Sequence, residues 1–80
     1  MQVTRIDIRD TRGRATIVRV GPEIVIHAVR LLGRDESWVI PVRPAAAAER
    51  QMAAQRLKGI LDGNAGGGAQ YRQVIDTLAD

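Results

Sequence analysis

The sequence predicts an α+β domain, an antiparallel sheet of about four strands followed by two C-terminal helices. Three observations carry that prediction. Up to Arg43, β-branched residues alternate with polar ones, which is the period of a strand. After Pro44 the apolar residues recur at helical spacing, and the breaks between strand segments are short enough to favour a meander.

The first strand runs from Val3 to Arg9 with Ile6 and Ile8 on one face. Asp10-Thr11-Arg12-Gly13 carries turn chemistry, with Gly13 expected at positive φ. A second strand spans Arg14 to Val20, and Gly21-Pro22 makes the next turn. The third strand, Glu23 to Leu32, sets Ile24, Ile26 and Ala28 on one face and Val25, Val29 and Leu31 on the other. A strand apolar on both faces is expected to be covered twice. Gly33-Arg34-Asp35-Glu36 is the third predicted turn, and Ser37 to Val42 the fourth strand, whose Pro41 suits an edge or a strand end.

Pro44 fits a first helical turn, where its missing N–H has no partner to lose, and Ala45 to Ala48 follow with high helix propensity. Met52, Ala53, Leu57, Ile60 and Leu61 form the expected apolar stripe, leaving Arg50, Gln51, Lys58 and Asp62 outward. Gly63 is the expected C-cap, and residues 63–68 form a glycine-rich hinge. A second helix from Ala69 to Leu78 presents Tyr71, Val74, Ile75 and Leu78. The 80 residues are thus read as a single domain, a sheet over 1–43 and a helical hairpin over 44–80.

Composition narrows the functional classes. A chain of 80 residues buries only about 60% of the surface it exposes when unfolded, so a second copy would help it, and a homodimer is expected. With no cysteine and one histidine, neither a disulfide framework nor a structural metal is expected, and no cofactor is implied. The absence of a long uncharged run points to a soluble cytoplasmic protein without a membrane partner. Twelve Lys plus Arg against nine Asp plus Glu give a net charge of +3, and eleven of the twelve cations are arginine, whose planar fork of donors suits phosphates.

Catalytic constellations are not evident. His27 lies in an apolar strand and is read as structural, Ser37 is the one serine, and Asp35-Glu36 is a turn pair. Gly66-Gly67-Gly68 lacks the Lys-Ser or Lys-Thr of a phosphate-cradling loop and reads as a linker. No enzyme is expected. The candidate nucleic-acid contacts are Arg12 and Arg14 at the first hairpin and Arg43 and Arg50 near the first helix, with Arg34 and Arg56 nearby. Trp38 and Tyr71 are too few aromatics for a base-stacking platform, so phosphate contact is the expected mode. The rival reading is a protein–protein interaction module, such as a small phage-type or plasmid-type inhibitor or an accessory subunit, docking through Trp38, Ile40 and Tyr71.

The segments Val3-Thr4-Arg5-Ile6, Gly13-Arg14, Glu23 to Leu32 and Trp38-Val39-Ile40-Pro41 resemble the SpoVG (septation regulator) family over about forty residues of the N-terminal half. The resemblance implies an N-terminal antiparallel sheet with a C-terminal helix, a dimer formed through strands, and a bacterial regulator that binds DNA and RNA. Around His27-Ala28-Val29-Arg30 the family usually has an acidic residue where Ala28 stands. Its basic segment at the sheet-to-helix junction is represented here only by Arg43 and Arg50.

Overall fold

The computed structural model describes residues 3–33, 35–43, 47–63 and 68–79. Four strands, β1 (Arg5–Asp10), β2 (Gly13–Val20), β3 (Glu23–Arg30) and β4 (Asp35–Pro41), precede two helices, α1 (Ala47–Leu61) and α2 (Ala69–Ala79). The strands form one antiparallel sheet in the order β1-β2-β3-β4. This is the α+β fold the alternation predicts.

Because successive side chains of a strand point to opposite faces, the pairing register sorts the sheet into two surfaces. One carries Ile6, Ile8, Ala15, Ile17, Ile24, Ile26, Ala28, Trp38 and Ile40, and both helices pack on it. Leu57, Leu61, Ile75 and Leu78 supply the helical half of that core. The other face bears Arg5, Asp7 and Arg9 from β1, Arg14, Thr16 and Val18 from β2, Val25, His27 and Val29 from β3, and Asp35, Ser37 and Val39 from β4. No element of the described chain covers it.

Several expectations are corrected. β3 ends at Arg30 rather than Leu32, because Leu31 and Leu32 turn the chain: the Gly33 N–H donates to the Arg30 carbonyl at 3.2 Å. β4 accordingly begins at Asp35, inside the segment expected to be a turn. Positive φ falls at Gly21, Gly63 and Gly68, not at Gly13. Gly13 is needed for a different reason: it is buried against β3, where a Cβ would collide with the Val29 carbonyl oxygen.

In α1 the buried stripe is Ala53, Ala54, Leu57, Ile60 and Leu61, and Met52, expected inside, is 68% exposed. Ala54 takes the place expected of Met52, and the other four residues of the stripe are those expected. Gly63 does end α1, at φ 79°, with the Asp62 and Gly63 N–H groups both donating to the Lys58 carbonyl. Pro44, Ala45 and most of the expected hinge, 64–67, lie outside the described residues. Val42, just past the strand, donates its N–H to the Pro22 carbonyl at 2.8 Å and closes the end of the sheet opposite the first hairpin.

Candidate nucleic-acid interface

The end of the sheet formed by the β1–β2 and β3–β4 turns brings together Arg9, Arg12, Arg14 and Arg30. Its scaffold begins at Asp10. Thr11 donates its N–H to the Asp10 carboxylate at 2.7 Å, and the Tyr71 hydroxyl of α2 donates to the same carboxylate. These donors hold Asp10 below the usual carboxylate range, the tyrosine being the larger cause. Burial, reinforced by the Asp10 charge, pushes the Tyr71 hydroxyl up to about 12. Next in the chain, the Arg12 N–H donates to the Leu61 carbonyl at 2.7 Å, satisfying an end of α1, and the Arg12 carbonyl accepts from the Leu31 N–H at 2.7 Å. The two turns and the C-terminus of α1 are therefore one hydrogen-bonded unit.

Pairing Asp10 with Gly13 closes the hairpin on Thr11-Arg12 and sets Arg9 directly opposite Arg14 on the uncovered face. Among the described residues neither makes an ion pair. A shallow depression of ≈ 450 Å³ beside them is lined by Arg9, Asp10, Gly13, Arg14, Val29, Arg30 and Leu31, and a neighbouring one of ≈ 390 Å³ by Thr11, Arg12, Arg30, Leu31 and Leu32. Arg30 donates Nη2 to the Gly59 carbonyl at 3.1 Å, while its buried Nε has no partner. The Arg12 guanidinium lies over Gly63, where a Cβ would sit 2.6 Å from Cζ.

Of the four arginines nominated from the sequence, the fold brings Arg12 and Arg14 to this end and leaves Arg43 and Arg50 at the other. Arg43 is exposed just beyond β4. Arg50 faces Asp76 of α2 at 3.4 Å and is largely covered, and Asp76 also accepts from Arg72 at 3.0 Å. Arg34 lies outside the described residues. Arg9 and Arg30 were missed, although the Asp10-to-Gly13 turn already implies that Arg9 faces Arg14.

No protein-family model, curated protein or solved structure matches the chain.

The residues nominated for protein docking are corrected by the fold. Tyr71 is 1% exposed and Ile40 5%, so both belong to the chain's own core. Trp38 is half-buried, with the Arg56 guanidinium 4.0 Å from its ring centroid and held there by Glu36 at 2.8 Å. Together with Met52 and Ala53 it lines a groove of ≈ 310 Å³ between β4 and α1.

His27 is also placed differently from the expectation. It faces solvent on the uncovered surface, Nε2 3.4 Å from Asp35 and opposite Ser37 and Thr16 in register, while its apolar neighbours Ile26 and Ala28 point the other way. The His-Ser-Asp proximity is a product of strand pairing that spacing in the sequence does not reveal. The His27 and Asp35 side chains are both well exposed, so the set is not enclosed as a catalytic site is. Among the described residues no three His, Asp or Glu converge as metal ligands, and no helix is long and apolar enough to cross a membrane.

Proposed function

We propose that this chain is a small nucleic-acid-binding regulator that holds backbone phosphates with Arg9 and Arg14, with Arg12 and Arg30 beside them. The observation that carries the reading is the directly opposed Arg9–Arg14 pair, exposed and without a carboxylate partner. Like charges facing each other across a strand pair are destabilising, and a bound anion relieves them. Two guanidinium forks match phosphate oxygens; Asp7, which lines a depression with both arginines on the uncovered face, is taken up by Arg5 and Thr16, and Asp10 by Tyr71 and Thr11.

The mode of contact follows from what surrounds the pair. Trp38 and Tyr71 both sit on the helix side of the sheet, so the one aromatic ring on the uncovered face is the His27 imidazole, too little for a base-stacking platform. Contact is with the sugar-phosphate backbone and is indifferent to sequence at these two residues. The resemblance to septation regulators favours the same class of ligand. In this chain the opposed arginine pair is at the hairpin end, while the sheet-to-helix junction offers the exposed Arg43 and the ion-paired Arg50.

A homodimer belongs to the same reading. Val18, Val25 and Val39 form an apolar row across three strands toward the opposite end of the uncovered face. Self-association over that row leaves the arginine end free.

The test is fluorescence anisotropy of labelled duplex DNA and single-stranded RNA at about 50 and 200 mM salt, where phosphate contacts give a steep salt dependence. Binding that weakens strongly with salt is expected. No binding at the lower salt overturns the reading and moves attention to the Trp38–Met52 groove as a protein-docking surface.

A further inference from the structure

We infer that the Leu31-Leu32 turn is an apolar wedge that enters the minor groove of a duplex and bends it. The inference rests on the phosphate-binding reading and adds to it a structural consequence for the nucleic acid.

The central positions of a tight turn normally hold Gly, Asn, Asp, Pro or Ser, which tolerate the backbone and welcome water. In the turn from Arg30 to Gly33 they hold two leucines, 73% and 100% exposed. The chain's other three leucines, Leu57, Leu61 and Leu78, are at most 1% exposed, so the core has no difficulty taking leucine. Two large aliphatic side chains at a solvent-facing tip therefore call for an apolar environment supplied from outside.

The tip is also firmly supported. Its Leu31 N–H is bonded to Arg12, whose own N–H is bonded to the last turn of α1, so the leucines are presented by the body of the protein rather than by a loose loop. Arg9 and Arg14, with Asp10 taken up by Tyr71 and Thr11, line one depression at Leu31, and Arg12 lines another at Leu31 and Leu32; Arg30, whose Nη2 is bonded to the Gly59 carbonyl, borders both. An apolar point bracketed by guanidinium groups is the arrangement that pries a base step apart: the cations hold the flanking phosphates while aliphatic side chains replace part of the stacking.

An anionic bilayer offers the same two elements, phosphate and an apolar interior. Residues that anchor in the membrane interface are chiefly Trp and Tyr, and the only Trp and Tyr of this chain lie on the far side of the sheet. Wedge residues in bent duplexes are Phe, Leu, Ile, Met and Pro. The aliphatic tip therefore favours the duplex.

The experiment is a short duplex carrying a donor and an acceptor dye at its two ends and a flexible TA step at its centre, titrated with the wild-type protein and with the L31S/L32S double variant. Wild type is expected to raise end-to-end energy transfer as it binds. L31S/L32S, whose substitutions lie at an exposed turn, should bind about tenfold more weakly with the same salt slope and leave the energy transfer at its free-duplex value. Binding by wild type without a rise in energy transfer, or an undiminished rise with the variant, overturns the wedge and spares the phosphate reading. Absence of duplex binding at about 50 mM salt overturns the wedge, and absence of single-stranded RNA binding as well overturns the phosphate reading. In that case flotation with vesicles containing anionic lipid shows whether the leucines serve a membrane instead.

Discussion

The hairpin end of the sheet holds a directly opposed arginine pair that the other end lacks, although each end also uses an arginine on a helix-end carbonyl, Arg30 on Gly59 and Arg19 on Leu78, and Arg43 is exposed at the far end. At the end reached by Val20 and Pro41, Arg19 donates to the Leu78 carbonyl at the end of α2, and Arg50 and Arg72 share Asp76. Those cations stabilise helix ends or join the two helices. At the hairpin end, Arg9 and Arg14 face each other with no acceptor between them, and the one carboxylate within the turn is occupied by Tyr71 and Thr11. The net charge of +3 thus says little about binding. What matters is where acceptors are missing.

The contrast breaks most visibly if the unpaired end is reversed in sign. R9E/R14E should lower duplex affinity roughly a hundredfold at low salt, taking about 1.5 kcal/mol for each lost charge-assisted contact. Thermal denaturation should be unchanged or slightly improved, since a like-charge pair that opposes folding is exchanged for another. Anisotropy together with a melting curve checks both halves.

Second in size is Tyr71→Phe, which should cost about 1 kcal/mol because it removes a part-buried hydrogen bond to Asp10, a carboxylate that water can still reach. The pH dependence has a defined sign. A Tyr71 hydroxyl raised to about 12 contributes stability that is complete below about pH 10 and is lost as the pH climbs toward 12. The depressed Asp10 contributes stability present above about pH 4 and lost as the pH falls below it. Denaturant titrations across pH should show both limbs flattened in Y71F relative to wild type. The freed Asp10 carboxylate is then available to the nearby arginines, so Y71F should also weaken duplex binding.

A similar cost in stability is expected where arginine is already paired. R50E/R72E puts three carboxylates together at the α1–α2 contact and should lower stability by about 1 kcal/mol, a fall in Tm of about 4–8 °C, while leaving the salt slope of duplex binding in place. Loss of duplex binding in this variant at a temperature where it is folded would erase the distinction between the two ends. The smallest change is Arg14→Lys, which keeps the charge but not the fork: binding should weaken by a few fold at an unchanged salt slope.

Much of this was legible before the structure. The alternation of Ile6 with Ile8 and of Ile24, Ile26 and Ala28 specifies strands and the face that meets the helices, and Tyr71, Ile75 and Leu78 specify the buried side of α2. The hidden parts are those governed by long-range pairing or by turn geometry at odds with composition. Arg50 looks outward on its own helix, and nothing in its neighbourhood announces Asp76 on another one. Leu31-Leu32 extends an apolar strand, and a hydrogen bond from Gly33 back to Arg30 turns it into a tip. Arg9 was readable all along. Once Thr11-Arg12 is taken as the loop, pairing outward from Asp10 and Gly13 sets Arg9 against Arg14.

The central claim is that Arg9 and Arg14 touch phosphates, and the slope of log affinity against log salt tests it most directly. Each phosphate contact on duplex DNA contributes a slope of about −0.9, so R9A/R14A should make the slope shallower by about two units. A variant that binds more weakly with an unaltered slope, or as tightly as wild type, would contradict the account.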